Sequence, residues 1–218
     1  MASSGKIVDL RALLAERFPS AAPPPHDCLI TGLPTFDQPS GAGLGKGCIT
    51  ELISPNLSAG TASFIAAMIK AAQRDRYFVA LIDGTDSFDP QPLGNDALRH
   101  LLWLRCRTTV HAIKSADLLL RDANFPLVIA DLVLNPPNEI RKVPQTSWYR
   151  LQRLVEATST AFVILTRVNT VSSAQLKIVL DNAWTLHTVH DEKPASFLQL
   201  RVRRVHGAAS HPLNAAAG

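Results

Sequence analysis

Four short runs of the chain consist of apolar residues, and this feature limits the possible folds more than any other. These runs span residues 77–82, 101–104, 127–130 and 161–165, and a fifth run typical of a strand, 48–53, also contains Thr50 and Glu51. Each has the length of a strand, and none shows the strict alternation of a strand with one solvated face. Strands that are apolar on both faces are typical of a parallel sheet covered by helices.

Segments with helical periodicity separate these runs. In the first, Ile65, Met68, Ile69 and Ala72 recur at i, i+3, i+4 and i+7, which predicts an amphipathic helix ending near residues 74–76. Two more helices are predicted around residues 110–120 and 148–155. Strands and helices therefore alternate, and we expect an α/β domain with a mostly parallel sheet and helices on both faces.

The two ends of the chain differ from this middle part. Residues 1–20 predict a helical arm that docks either on a neighbour or on its own domain, and residues 21–29 form a proline-rich linker. The folded domain is expected to cover residues 30–206. Within it, residues 183–189 and 197–205, separated by a polar break at 191–194, predict an antiparallel C-terminal edge. The alanine-rich tail at 207–218 is predicted to be disordered.

Composition excludes several classes of protein. With 218 residues the chain is long enough for one domain, and a net charge of +4 is compatible with a nucleic acid or an acidic partner without requiring either. The three cysteines are widely spaced, and His187, His190, His206 and His211 share no ligand spacing, so no metal site is predicted. No segment has the length of a membrane span or the pattern of a signal peptide, which favours the cytoplasm.

The segment between the first apolar strand and the helix after it occupies the place of a phosphate loop. A working loop reads GxxxxGK[ST], in which glycines expose N–H groups, lysine neutralises phosphates and the hydroxyl binds magnesium. Here Ser54 and Ala59 stand at the glycines, Gly60 stands at the lysine, and only Thr61 keeps its type; Pro55 and Ser58 lie between. Losing the lysine removes a charge that stabilises the transition state, so fast hydrolysis is not expected.

Two interpretations of this segment stay open. The N-terminus of the following helix carries free N–H groups and a positive dipole, so weak nucleotide binding would still be feasible there. Alternatively, the segment is an ordinary turn between a strand and a helix, with Ser58 or Thr61 as the helix cap. In neither case do we expect a catalytic residue or a resident cofactor.

Several motifs around this segment resemble RecA-type proteins. The approach to the loop is carried by Ile30-Thr31-Gly32-Leu33, Phe36-Asp37, Gly43-Leu44, Gly47 and Thr50-Glu51-Leu52-Ile53. The stretch from Leu81 to Pro90 resembles the part of RecA that bears the catalytic glutamate, and here Thr85 stands at that position. The run that ends at Asp131 resembles a Walker B strand. The resemblance implies a RecA-like P-loop core without two catalytic features, and Asp131 becomes either a ligand of magnesium-bound water or a structural hydrogen-bond acceptor.

Within the RecA-like group, the chain resembles the ImuA family of damage-induced mutagenesis proteins. The motifs that carry this resemblance are Leu101-Leu102-Trp103-Leu104-Arg105, the segment from Ala116 to Arg121, and the segment from Trp148 to Arg153. The resemblance implies an SOS-type role in translesion synthesis. It implies binding to an ImuB-type inactive Y-family polymerase homologue, through it to an error-prone replicative-type polymerase, and contact with RecA.

Two pairs of arginines are candidates for binding a partner or DNA. Arg150 and Arg153 lie on the helix that begins near Trp148, opposite its apolar side, where a merely solvated cationic face is the alternative. Arg201 and Arg203 share one face of the last strand if its side chains alternate. Recombinases of this fold hold DNA with mobile loops after the central strands, and the loop expected here, at residues 166–173, is short and contains only Arg167.

These observations favour a non-catalytic adaptor in lesion bypass. A weak DNA-stimulated ATPase of the RecA fold and a cell-division inhibitor similar to SulA are the alternatives, and the sequence leaves direct DNA contact and homo-oligomerisation open.

Overall fold

The computed structural model describes residues 28–37, 43–57, 59–182, 198 and 200–205. The predicted arm, most of the linker, the segment 183–189 and the tail lie outside these residues, as do the four histidines considered above. Within the described ranges no helix is long and apolar enough to span a bilayer.

A seven-stranded sheet forms the centre of the fold. Its strands are β3 (Ile49–Ile53), β4 (Val79–Asp83), β5 (Leu101–Arg105), β6 (Leu127–Asp131), β7 (Ala161–Thr166), β8 (Leu176–Leu180) and β9 (Leu200–Val205). They follow the order β5-β4-β6-β7-β3-β8-β9. The first six strands in this order are parallel to their neighbours, and β9 is antiparallel to β8. The predicted α/β class and the mostly parallel sheet are confirmed. The C-terminal strand β9 is antiparallel as expected, but its partner is β8, and the predicted partner segment 183–189 lies outside the described residues.

Helices cover both faces of this sheet. They are α1 (Pro34–Asp37), α2 (Thr61–Asp75), α3 (Asn95–Leu98), α4 (Thr109–Asp122), α5 (Pro137–Lys142) and α6 (Gln145–Glu156), with a 3₁₀ turn at Gln91–Leu93. One core contains Leu81 and the buried face of α2. The other contains Ile82 and the buried faces of α4 and α6, including Trp148. Successive strand residues point to opposite faces, which explains why the central strands β4, β6 and β7 are apolar along almost their whole length.

A two-stranded sheet and α1 precede the large sheet. Strands β1 (Cys28–Leu29) and β2 (Leu44–Gly45) pair antiparallel, so the last two residues of the predicted linker belong to the folded part. The carboxylate of Asp37 accepts hydrogen bonds from the Thr31 and Gly32 amides at 3.0 and 2.7 Å and from the Thr31 hydroxyl at 2.9 Å. This local network fixes the Thr-Gly turn that the sequence motif contains.

Strand β8 was not predicted from the sequence, and it contains a charged residue, Lys177. The lysine is buried, and its ammonium group lies 2.6 Å from Oε2 of buried Glu51 on the adjacent strand β3. A buried charge is tolerated only with a partner and further hydrogen bonds, and a partner so distant in sequence leaves no local signal.

Candidate functional site

The loop after β3 is closed by hydrogen bonds among its own residues. The Thr61 hydroxyl, which would bind magnesium in a working phosphate loop, donates to the Ser54 hydroxyl at 3.1 Å. Ser54 in turn donates to the carbonyl of Asn56 at 2.9 Å. The amide of Ala59 also bonds to this carbonyl, at 3.2 Å. Both side-chain hydroxyls and one of the loop amides therefore point into the loop rather than toward a phosphate.

Helix α2 begins without a side-chain cap. Its N-cap is Gly60, in the left-handed region at φ 101°, and Thr61 is already the first helical residue. The interpretation of Thr61 as the cap is wrong, because its hydroxyl is used to hold Ser54. Ser58, the other cap considered, lies outside the described residues. Pro55 is exposed at the tip of the loop.

A cavity of about 590 Å³ lies beside this loop, between the start of α2 and the segments 87–93 and 131–134. No lysine or arginine of the described chain lines it, and the charged groups on its wall are the carboxylates of Asp89 and Asp131. The rest of the wall is largely apolar, with side chains that include Leu57, Phe88, Leu93, Val133 and Leu134. A polyphosphate bound here would therefore face negative charge and hydrocarbon on the described wall, and no cation.

Asp131 lies at the end of β6, at the same level as Asp83 on the adjacent strand β4. Its Oδ1 accepts a hydrogen bond from the amide of Val133 at 3.1 Å. The pKa of Asp131 is raised to about 6, mainly because the carboxyl is buried. The Val133 hydrogen bond lowers this pKa, and the nearby charge of Asp83 raises it. The bond to Val133 is the interaction expected of a structural acceptor, although the residue also borders the cavity.

Asp83 organises the loop that follows β4. Its carboxylate accepts hydrogen bonds from the amides of Ser87 and Phe88 at 3.0 and 2.9 Å, and from the indole N–H of Trp103 at 3.3 Å. Thr85, at the position of the catalytic glutamate, donates its hydroxyl proton to Ser87 and does not line the cavity. The role of Asp83 was not predicted, although an aspartate at the end of a buried strand was a signal for it in the sequence.

The buried pair of Glu51 and Lys177 holds the loop after β7 in place through hydrogen bonds. Oε1 of Glu51 accepts hydrogen bonds from the amides of Thr170 and Val171 at 2.8 and 3.1 Å and from the Thr166 hydroxyl at 3.1 Å. The ammonium of Lys177 also donates to Asn169 at 2.6 Å. A loop held by this many buried contacts is not built like the mobile DNA-binding loops of recombinases.

The structure separates the two arginine pairs into different environments. Arg150 forms an ion pair with Asp117 of α4 at 2.8 Å, whereas Arg153 is exposed and forms no ion pair with any described residue. Arg201 lies 3.9 Å from Asp181, and both side chains are largely exposed. The register of β8 and β9 shifts between Lys177 and Ile178. The side chain of Arg203 lies outside the part that the structure describes, so the shared face of Arg201 and Arg203 stays a prediction.

Metal binding finds no support in the described ranges, where no group of three histidine, cysteine, aspartate or glutamate residues is placed to hold an ion. The cysteines are not disulfide-bonded, and Cys106 is buried. No protein-family model matches the chain, and a search of curated proteins returns no match.

Proposed function

We propose that this chain is a non-catalytic adaptor with a RecA-like core, which acts in damage-induced translesion DNA synthesis by binding an ImuB-type inactive Y-family polymerase homologue. Through that homologue it would join an error-prone replicative-type polymerase, and RecA itself is a second expected contact. The resemblance to the ImuA family supplies the partners. The observation that carries the non-catalytic part is the cavity beside the phosphate-loop position, which has two carboxylates and no cation on its described wall.

The charge on this wall opposes nucleotide binding. A triphosphate needs positive charge or magnesium around its oxygens, and P-loop proteins supply both through the lysine and the hydroxyl residue. Here Gly60 replaces the lysine, and the hydroxyl of Thr61 is already bonded to Ser54. Lys177, which lies on the strand next to β3, cannot substitute, because Glu51 and Asn169 hold its ammonium group inside the protein. This geometry favours a protein-binding function over turnover of ATP.

The sheet order is compatible with the RecA-like part of the proposal. Numbered from β3, the six parallel strands follow the order 3-2-4-5-1-6. This differs from the 3-2-1-4-5-6 order of dinucleotide-binding domains and from the 2-1-3-4-5 order of flavodoxin-like domains. With those two folds disfavoured, the motifs around Thr31, Asp37 and Asp131 make a RecA-like core the best interpretation.

Retention of the polymerase homologue tests the adaptor function. The full chain, immobilised through a tag, is expected to retain a purified ImuB-type homologue and to release it only when untagged chain is added in excess. A catalytically active Y-family polymerase serves as the control and should pass through. Failure to retain the homologue, or equal retention of both polymerases, would contradict the proposal.

Phosphate release tests the competing ATPase function. Because the loop lacks a cation, we expect the chain and its Thr61→Ala variant to release phosphate from ATP at the same background rate, with and without single-stranded DNA. A DNA-dependent rate that Thr61→Ala abolishes would instead establish the ATPase.

A further inference from the structure

A second cavity lies between α4 and the segment formed by α5 and α6, away from the phosphate-loop region. Its volume is about 480 Å³, and buried Val143 and Leu151 form part of its floor. On the α4 side, Val110 and Leu118 are 58% and 68% exposed. Large apolar side chains this exposed along a concavity are typical of a binding groove rather than of an ordinary surface. We call it the α4–α6 groove.

Cationic side chains outnumber carboxylates around this apolar floor by three to two. Three cations line the groove, Lys114, Lys142 and Arg150, together with the two carboxylates of Asp117 and Glu139. Both carboxylates are already engaged within the protein. Asp117 forms ion pairs with Arg121 and Arg150, each at 2.8 Å. Glu139 accepts a hydrogen bond from the Thr109 hydroxyl at 3.1 Å.

The two lysines, by contrast, are available to a ligand. Lys114 and Lys142 are both exposed, and neither forms an ion pair with another residue of the described part of the chain. Arg150 is held in place by Asp117, so it contributes positive potential from a fixed position. The groove therefore combines a hydrocarbon floor with free positive charge on its rim.

We propose that the α4–α6 groove binds an acidic amphipathic segment of a partner protein. Apolar side chains of the segment would insert between Val110, Leu118 and Leu151, and its carboxylates would meet Lys114 and Lys142. The inference rests on the proposed function, since it takes the chain to be a protein-binding adaptor. It adds which surface of this chain makes the contact and which side-chain chemistry the partner must present to it.

The dimensions and composition of the groove favour this occupant. Val110 and Leu118 are eight residues apart on α4, which corresponds to about 12 Å or two helical turns. A partner helix with apolar residues at i, i+4 and i+7 spans a similar length. Nucleic acid is a poorer match, because its phosphates need cations and gain nothing from exposed valine and leucine side chains.

A synthetic peptide pair tests the proposal. The first fluorescent peptide carries leucines at i, i+4 and i+7 with glutamates between them, and the second has lysines in place of the glutamates. We expect the full chain to bind the glutamate peptide at least about tenfold more tightly than the lysine peptide, since complementary charge selects the partner. Equal binding of both peptides, or binding of neither, would overturn the proposal.

Variants locate the binding to the groove. Leu118→Glu and Lys142→Glu should each weaken binding of the glutamate peptide about tenfold. Leu57→Glu is the control for the first, because Leu57 is 63% exposed but lies at the other cavity, and Lys70→Glu on α2 is the control for the second. These four side chains are exposed, so their replacement does not disturb the core. Unchanged binding by Leu118→Glu, or an equal loss in the controls, contradicts the assignment.

The same variants separate this inference from the adaptor function itself. If the unaltered chain and Leu118→Glu retain the ImuB-type homologue equally and the peptide does not bind, the groove is wrong and the adaptor function stands. If the peptide binds in the groove but the homologue is not retained, the adaptor function in lesion bypass fails and the groove stands. Displacement of the bound peptide by a DNA duplex, with no effect of Leu118→Glu, would identify a nucleic-acid surface and overturn the proposal.

Discussion

Gly84 shows how closely the elements around the candidate site approach one another. It follows β4, its amide donates to the carbonyl of Asp131 at 2.9 Å, and its own carbonyl accepts a hydrogen bond from Asn135 at 3.1 Å. A Cβ atom at this position would lie 2.1 Å from Oδ1 of Asn135 and 2.7 Å from the carbonyl oxygen of Asp131. Only glycine allows the end of β4 and the loop after β6 to meet in this way.

Replacing Gly84 by alanine should therefore reduce stability. We expect Gly84→Ala to lower the free energy of unfolding by about 2 kcal/mol, because one of the clashing atoms belongs to the backbone and cannot rotate away. Gly45→Ala is the matched control, since its added Cβ would lie 3.6 Å from the nearest atom, an ordinary contact. Urea unfolding of the two variants measures the difference, and similar stabilities would show that the approach at Gly84 is less tight than described.

The raised pKa of Asp131 predicts a specific pH dependence of stability. The pKa rises from its ordinary value of 3.8 to about 6 in the folded chain, so folding favours the protonated carboxyl. Its contribution to stability is fully present below about pH 4 and is lost as the pH rises through about 6. Asp131→Asn removes this loss while keeping an acceptor for Val133. It should stabilise the chain by on the order of 2 kcal/mol at pH 8 and have no effect near pH 4.

Thermal unfolding across this pH range checks the prediction. A gain in Tm for Asp131→Asn that grows between about pH 4 and pH 7 is the expected result. A loss of stability at neutral pH would mean that the charged carboxylate has a favourable partner in the folded protein.

At the scale of elements, the buried pair of Glu51 and Lys177 joins β3, β8 and the loop after β7. Lys177→Met should lower the free energy of unfolding by about 4 kcal/mol, because it leaves the Glu51 carboxylate buried without its counter-charge. Adding Glu51→Gln should recover most of this loss. Asp75→Asn, which breaks the exposed pair with Arg74, should change stability by less than about 1 kcal/mol.

Urea unfolding of the single and double variants gives these values. If Lys177→Met costs no more than Asp75→Asn, the pair of Glu51 and Lys177 does not hold the loop after β7 in place.

Most elements could be predicted because their signals are local. The i, i+3, i+4 spacing of Ile65, Met68 and Ile69 identifies α2 without knowledge of its neighbours, and strands β4, β6 and β7 follow from uninterrupted apolar runs. Strand β8 could not be predicted in this way, because the partner that makes a buried Lys177 tolerable comes from β3, far away in sequence. Elements held together by distant charges leave no periodic pattern.

For the molecule as a whole, the sequence predicts which phosphate-loop residues are missing, but it does not predict which side chains line the cavity beside that loop. Gly60 at the lysine position follows directly from the loop motif. The cavity, which has no cation on its described wall, depends on Phe88 and Leu93 from the connection after β4 and on Leu134 from the loop after β6. The α4–α6 groove was also missed, because Val110 fits the helical pattern of a buried face and yet is exposed. Chain topology, rather than residue type, decides which side chains share a cavity.

The central claim is the proposal that the chain has a RecA-like core and works by binding a protein, without a nucleotide. The affinity of the full chain for the ImuB-type polymerase homologue, measured with and without ATP and magnesium, tests it most directly. We predict saturable binding with the same Kd in both conditions, because the cavity at the phosphate-loop position has no cation on its described wall to recruit ATP. Binding that appears only with ATP, or no binding in either condition, would contradict the account.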